Sequence, residues 1–138
     1  MSPELERELV NKYPKLFDDY GTAPSHSPMA FGFECGDGWF DLLDTLCGEL
    51  AALGPCGGDG DAHPLRAMQV KEKYGTLRFY LGPATDEALA LVAFAEALSA
   101  RICETCGNKG RTRGTTWLKT LCDPCAEKQG YTDAVESL

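Results

Sequence analysis

Four cysteines stand as two pairs toward the end of the chain: Cys103-x-x-Cys106, fifteen residues, then Cys122-x-x-Cys125. Two residues between thiols let both sulfurs of a pair reach one ion, and two such pairs complete a tetrahedron around Zn²⁺. Gly107 follows the first pair, where a tight knuckle needs a backbone that tolerates positive φ. The second pair, within Leu121-Cys122-Asp123-Pro124-Cys125, reads as the first turn of a helix, a place that suits both Asp123 and Pro124. The competing chemistry is two disulfides or a redox pair. Four thiolates close the coordination sphere to water and substrate, so the spacing predicts one structural zinc.

The segment between the pairs carries Lys109, Arg111, Arg113, Lys119 and Trp117. Arginine beside an aromatic can grip phosphate or stack on a base, which makes Arg111, Arg113, Trp117 and Lys119 candidate partner or nucleic-acid contacts. The plainer reading is that these cations offset a site left at −2 by four thiolates and one Zn²⁺. Trp117 is read first as the hydrophobic plug of the small module and second as an anchor for a partner. A knuckle, a short hairpin and a helix in that order predict a treble-clef-like finger.

Other reactive side chains are sparse. Cys35, Cys47 and Cys56 remain, with Cys56 close in sequence to His63, but their spacings match no compact metal motif. Cys47 adjoins an apolar helical stripe and is expected to be buried. Asp37, Asp41 and Asp44 share one side of a helix and are read as a solvated face rather than a cation site. The two histidines, His26 and His63, fall in loops, and no nucleophile elbow or HExxH helix is present. The chain is therefore expected not to be an enzyme. The glycine-rich stretch 54–64 is acidic and lacks the Gly-Lys-Ser/Thr ending of a phosphate loop.

These residues need elements to hold them. Ser2-Pro3-Glu4 caps a first helix carrying Leu5, Leu9 and Tyr13, which Pro14 limits. A short strand is expected in Ala30–Glu34. Asp37 is placed as the cap of a second helix, along which Trp39, Leu42, Leu43, Leu46, Leu50 and Leu53 draw one apolar stripe, ended by Gly54-Pro55. A hairpin spans 67–81: Met68, Val70 and Glu72 alternate with their neighbours, Tyr74-Gly75 turns the chain, and Leu77, Phe79 and Leu81 follow. Thr85 opens a third helix bearing Leu89, Val92, Ala93, Leu98 and Ile102, which runs almost directly into Cys103. The fold class expected is α+β, a small antiparallel sheet packed by helices, with a four-cysteine zinc finger fused to the third helix. Residues 1–102 form an acidic α+β domain; residues 103–138 form the finger with a C-terminal helix.

Composition narrows the function classes. The 138 residues carry a formal charge of −8. Residues 1–100 hold seven Lys and Arg against sixteen Asp and Glu; residues 101–138 hold six against five. An acidic body does not suit broad phosphate-backbone binding. It suits solubility, or a face that meets a basic partner. No apolar run approaches the roughly 18 residues of a membrane span. An odd number of cysteines, two CxxC pairs and a charged acidic start predict a reducing compartment, the cytoplasm.

Three stretches carry a resemblance: Gly32-Phe33-Glu34-Cys35-Gly36-Asp37-Gly38-Trp39, Val70-Lys71-Glu72-Lys73-Tyr74-Gly75-Thr76-Leu77-Arg78-Phe79-Tyr80, and the four-cysteine unit. Together and in this order they resemble a group of small four-cysteine proteins of tailed bacteriophages, over most of residues 30–128. The resemblance implies a phage or prophage origin and a role inside an infected bacterium; it implies no particular activity. The finger alone, Ile102 to Gly107 and Thr120 to Cys125, is similar to the four-cysteine finger of DksA/TraR transcription regulators, which bind RNA polymerase. The function expected is a non-enzymatic accessory protein that binds a host protein complex of nucleic-acid machinery or antiviral defence, as an inhibitor or an aid. The alternative is a nucleic-acid-binding or transcription-regulating zinc finger.

Overall fold

Ser2 opens the first helix as its pattern requires. In the computed structural model, which describes residues 1–23, 25–58 and 60–131, its side chain accepts a hydrogen bond from the Leu5 amide and Pro3 occupies the first turn of helix α1, Pro3–Lys12. Tyr13 closes the helix, and Pro14 cannot continue it. Leu9 is fully buried. The next segment brings Phe17 against Phe33, with ring centroids 5.0 Å apart, and against Phe79 at 6.5 Å. One ring thus joins the chain after α1 to two strands.

The sheet has three strands in the order β1 (Phe33–Glu34), β2 (Ala67–Lys73), β3 (Thr76–Leu81). β2 and β3 pair antiparallel as the hairpin predicts, but β1 runs parallel to β2. The expected antiparallel sheet is therefore a mixed one. Parallel neighbours need a long crossover, and the segment between β1 and β2, which contains helix α2 (Phe40–Leu53), supplies it. β1 has only two residues because Pro28–Phe31 wind into a 3-10 turn, capped by Ser27 accepting from the Met29 amide at 3.2 Å.

Tyr74 and Gly75 both adopt positive φ, 56° and 86°. That is the mirror-image two-residue turn whose twist matches the flanking strands. A bulge between Ala67 and Gln69 breaks the simple alternation of β2, so Ala67 and Val70 are buried and Met68 is not.

Two helical expectations change. Asp37 does not cap α2. A 3-10 turn over Asp37–Trp39 precedes the helix, and the Asp37 carboxylate accepts the Ser2 amide at 2.7 Å instead. In helix α3, Asp86–Ser99, Thr85 is the cap, accepting from the Ala88 amide at 3.2 Å. Its buried residues are Ala88, Val92, Ala95 and Ser99, whereas Leu89 and Ala93 face out. α3 packs on β3 and on α2, whose Leu42, Leu43, Leu46 and Leu50 are buried as the stripe predicts. Leu53, at the end of that stripe, is exposed.

After α3 the chain keeps winding, with the Ile102 amide donating to Ser99, and enters Cys103 directly. There follow β4 (Arg111–Arg113), β5 (Lys119–Leu121) antiparallel to it, and helix α4 (Asp123–Gln129), closed by Gly130 at φ 73°. The expected module reaches residue 138; residues 132–138 lie outside the described residues. Among the described residues no helix is long and apolar enough to cross a membrane.

Candidate metal centre and its junction with the body

The first pair sits on a knuckle. The Cys103 amide donates to the Asn108 carbonyl at 2.7 Å, and the Gly107 amide donates back to the Cys103 carbonyl at 2.9 Å. Gly107 has φ 86°, as the knuckle demands. The second pair opens α4: Cys122 is its N-cap residue and Cys125 lies in its first turn, behind Pro124. All four sulfurs lie within 4.8 Å of one another, and none is in a disulfide. A tetrahedron with metal–sulfur bonds of about 2.3 Å has edges of about 3.8 Å. The set therefore fits one metal ion and leaves no open coordination position. Cys103, Cys122 and Cys125 are buried and Cys106 is exposed.

The thiols are prepared unequally for metal. Burial works against charge on Cys103, but the Cys122, Cys106 and Thr105 amides point at its sulfur and bring it down to about 7. Cys125 is pushed up to about 12, first by its hydrogen bond with Cys122 and then by burial. One thiolate forms readily beside Cys106 and Cys125, whose thiols resist charge; a dication at the centre removes that conflict.

Two of the four cations predicted beside this centre, Arg113 and Lys119, are committed to carboxylates. Arg113 is 4 % exposed. Its Nε donates to the Leu121 carbonyl at 3.0 Å and its Nη2 to the Asp123 carboxylate, so it splints β4 to the start of α4. That pairing, with Arg111 nearby, holds the Asp123 carboxyl below the usual range. Lys119 bridges Glu72 at 3.0 Å and Glu104 at 3.4 Å. Trp117 does not plug the module: it is 73 % exposed. The interior is instead filled by Leu121, Ala126 and the three buried cysteines, with Tyr131 packed against them. Gly114, at φ 102°, turns the chain so that residues 115–117 lie outside.

What sequence reasoning missed is how tightly the finger is docked. The Trp39 indole donates to the Ile102 carbonyl at 2.8 Å, and Trp39 is fully buried. The Gly38 amide donates to the Glu104 carbonyl at 2.7 Å, and the Gly36 amide to the Glu104 carboxylate at 2.9 Å. The Thr120 hydroxyl donates to the Gly75 carbonyl at 2.6 Å, while the Gly75 amide donates to Glu72 at 2.8 Å. Bonds thus cross the sequence boundary at residue 102 from both resembling motifs, Gly36-Asp37-Gly38-Trp39 and Glu72-Lys73-Tyr74-Gly75. The available signal was a pair of glycines spaced by one residue directly before a helix, where no tight turn requires them.

Lys119 lies at the centre of this junction. Burial opposes its charge, but the Glu72 hydrogen bond and the field of Glu104 hold its pKa above the ordinary value. A raised lysine pKa contributes stability that is complete below about 10.4 and is lost only as pH rises through the folded value. Lys119→Met leaves two carboxylates, 14 % and 9 % exposed, facing each other without a cation. It is expected to cost about 2–3 kcal/mol at neutral pH, read as a lower midpoint in urea. An unchanged midpoint would show that the bridge is not structural.

The remaining candidates do not assemble. Cys35 and Cys47 are buried, and burial pushes the Cys35 thiol up to about 12 and Cys47 higher still. Cys56 Sγ lies 3.0 Å from His63 Nε2, but their shared neighbour is the Pro83 carbonyl. Among the described residues the four cysteines are the single group of three or more His, Cys, Asp or Glu ligands placed to hold an ion. Asp44 accepts from the Tyr13 hydroxyl at 2.7 Å and from Lys12 at 3.1 Å, tying α1 to α2. His26 pairs with the buried Asp19 at 3.2 Å. A groove of about 780 Å³ between Tyr13, Leu16, Leu50, Pro55, His63 and Leu65 includes none of the four cysteines.

Fold and site together define a small α+β protein with a four-cysteine cluster able to hold one metal ion, locked to its body. Comparison with known proteins gave no matching family model, no similar curated protein and no similar solved structure.

Proposed function

We propose that this is a non-enzymatic accessory protein of a tailed bacteriophage that binds a host protein complex, in nucleic-acid machinery or antiviral defence, within the cytoplasm of the infected cell. The ion is zinc, which four thiolates in a tetrahedron favour, and the finger is a treble clef. The motif resemblance supports the phage origin.

The observation that carries the reading is Tyr74. Among the described residues it is the only one besides glycines with positive φ, and it is 65 % exposed. That conformation suits Gly or Asn and costs a tyrosine about 1 kcal/mol. Its ring is met by the Lys73 ammonium at 5.4 Å. A strained turn that presents a large aromatic to solvent is explained by what the aromatic meets. Trp117 is presented close by: a Cβ on Gly75 would lie 3.6 Å from the Leu118 Cβ, so Tyr74 and Trp117 each flank a point where the two hairpin tips touch. Tyr and Trp are the side chains that most often dominate protein interfaces. The finger–body junction holds both tips rigid, which lowers the entropic cost of binding.

The nucleic-acid reading draws support from the exposed Trp117 ring, which can stack on a base. Arg113 and Lys119, however, are committed to Asp123, Glu72 and Glu104. A low-salt gel shift with single-stranded DNA or RNA separates the two readings.

Capture from host lysate is the direct test. The wild-type chain is expected to retain one stoichiometric protein, and Trp117→Ala to lose it while its stability stays within about 0.5 kcal/mol. Tyr74→Asn is expected to gain about 0.5–1 kcal/mol in stability and weaken capture, because Asn fits the turn but not the partner. Absence of any stoichiometric partner would sink the proposal.

A further inference from the structure

Helix α3 is apolar on two sides. One side is buried against β3 and α2. The other presents Leu89, Ala90, Ala93, Phe94 and Ala97 to solvent, with Phe94 70 % exposed. Between Glu87 and Arg101 this outer side carries no charge. Glu96, the one acid of the helix beyond its first turn, reaches the other way and accepts the Phe79 amide at 2.9 Å. A helix that is apolar all round belongs between two partners.

The spacing states which partner. Glu87, Ala90, Phe94, Ala97 and Arg101 recur at intervals of three, four, three and four, the seam of a two-stranded coiled coil. Beyond Ser99 the winding continues, with the Ala100 amide bonded to Ala97 and the Arg101 amide to Leu98, so the exposed Arg101 stays in the series. Phe94 is its midpoint, seven residues from an acid and seven from a base. A two-fold axis at Phe94, crossing two copies of α3 antiparallel, sets ring beside ring, Ala90 beside the other copy's Ala97, and Glu87 beside the other copy's Arg101. Small residues leave room for the two rings, both end charges are complementary, and antiparallel helix dipoles attract. Self-complementarity about one residue is what an isologous contact requires, and an unrelated partner gives no reason for it.

We propose that α3 is a homodimer contact, taking a second copy of this chain in antiparallel order. This goes beyond the host partner proposed above and does not depend on it. The seam spans fourteen residue steps, about 21 Å, a small interface for which a micromolar Kd is expected.

The test is sedimentation velocity on the full metal-loaded chain between about 5 and about 200 µM. Wild type is expected to rise from 14.9 kDa toward twice that mass. Phe94→Asp, which sets two carboxylates at the axis, is expected to stay monomeric with unchanged metal content and melting. Glu87→Arg and Arg101→Glu are each expected to weaken the dimer about tenfold, and the double variant to restore it to within about threefold. Monomer mass across the whole range, or a Phe94→Asp dimer, overturns the contact. Loss of the dimer in Phe94→Asp without rescue by the double variant overturns the antiparallel order.

Discussion

Cys103→Ser is expected to release the proposed zinc and to loosen the body as well as the finger. Structural zinc contributes about 10–16 kcal/mol in isolated finger peptides near neutral pH, whereas a whole domain of this size is stable by about 5–15 kcal/mol. The finger interior holds Leu121, Ala126 and Tyr131 besides its cysteines, too little apolar surface to persist without an ion. Because the fully buried Trp39 is hydrogen-bonded to Ile102, next to the first ligand, loss of the finger leaves its indole N–H without a partner. The near-ultraviolet dichroism of Trp39 is therefore expected to collapse in Cys103→Ser, in Cys122→Ser and in wild type treated with chelator. Acid should reproduce the effect. Ligation requires thiolates, so protons compete with metal, and stability present at neutral pH is lost as pH falls below about 6. Native protein that contains no zinc, with Cys103→Ser as stable as wild type, would overturn the metal centre.

The parts of this molecule that could be read in advance are those whose physics is local. Cysteine pairs two residues apart, a Tyr-Gly turn between alternating strands, and Ser2 or Thr85 in front of a helix each act through neighbours within a few residues. Non-local facts leave no such mark. The parallel pairing of β1 with β2 joins two residues of strand to a segment more than thirty residues on, and two residues show no period. The outward orientation of Leu89 and Ala93 on α3 leaves no mark in the sequence either, because a helix apolar on both sides draws no stripe. Lys119 looks like a finger cation in the sequence; its partner Glu72 stands 47 positions earlier and turns it into a clamp. Trp117 was misplaced for a related reason: aromatic residues usually fill small modules, but here Leu121 and Tyr131 already do. A glycine announces that a side chain is not tolerated there without naming what it would strike.

At Gly38 the structure supplies that name, and Gly38→Ala is expected to be among the most damaging single-methyl additions in the chain. An ideal Cβ there would lie 2.2 Å from the Cys103 carbonyl oxygen, 2.6 Å from the Glu104 carbonyl oxygen and 2.6 Å from the Gly107 amide nitrogen. All three are backbone atoms, so no rotamer change relieves the overlap. Either α2 and the knuckle separate, breaking the Gly38–Glu104 and Trp39–Ile102 bonds, or the knuckle deforms around its own ligand. The first route removes two hydrogen bonds, that of Trp39 part-buried, and part of the packing of a buried tryptophan, about 3–5 kcal/mol in all. The second weakens metal binding, by about tenfold for each 1.4 kcal/mol of strain. Gly58→Ala is the control, since a Cβ there meets nothing within 4 Å and its φ is ordinary. Urea midpoints at saturating zinc and zinc competition against a chromophoric chelator together separate the two routes. If Gly38→Ala matches Gly58→Ala in both, finger and body are not locked, and the stability supplied by the ion stays within the finger. If it does not, metal binding also sets how rigidly Tyr74 and Trp117 are held, because both hairpin tips lie on that junction.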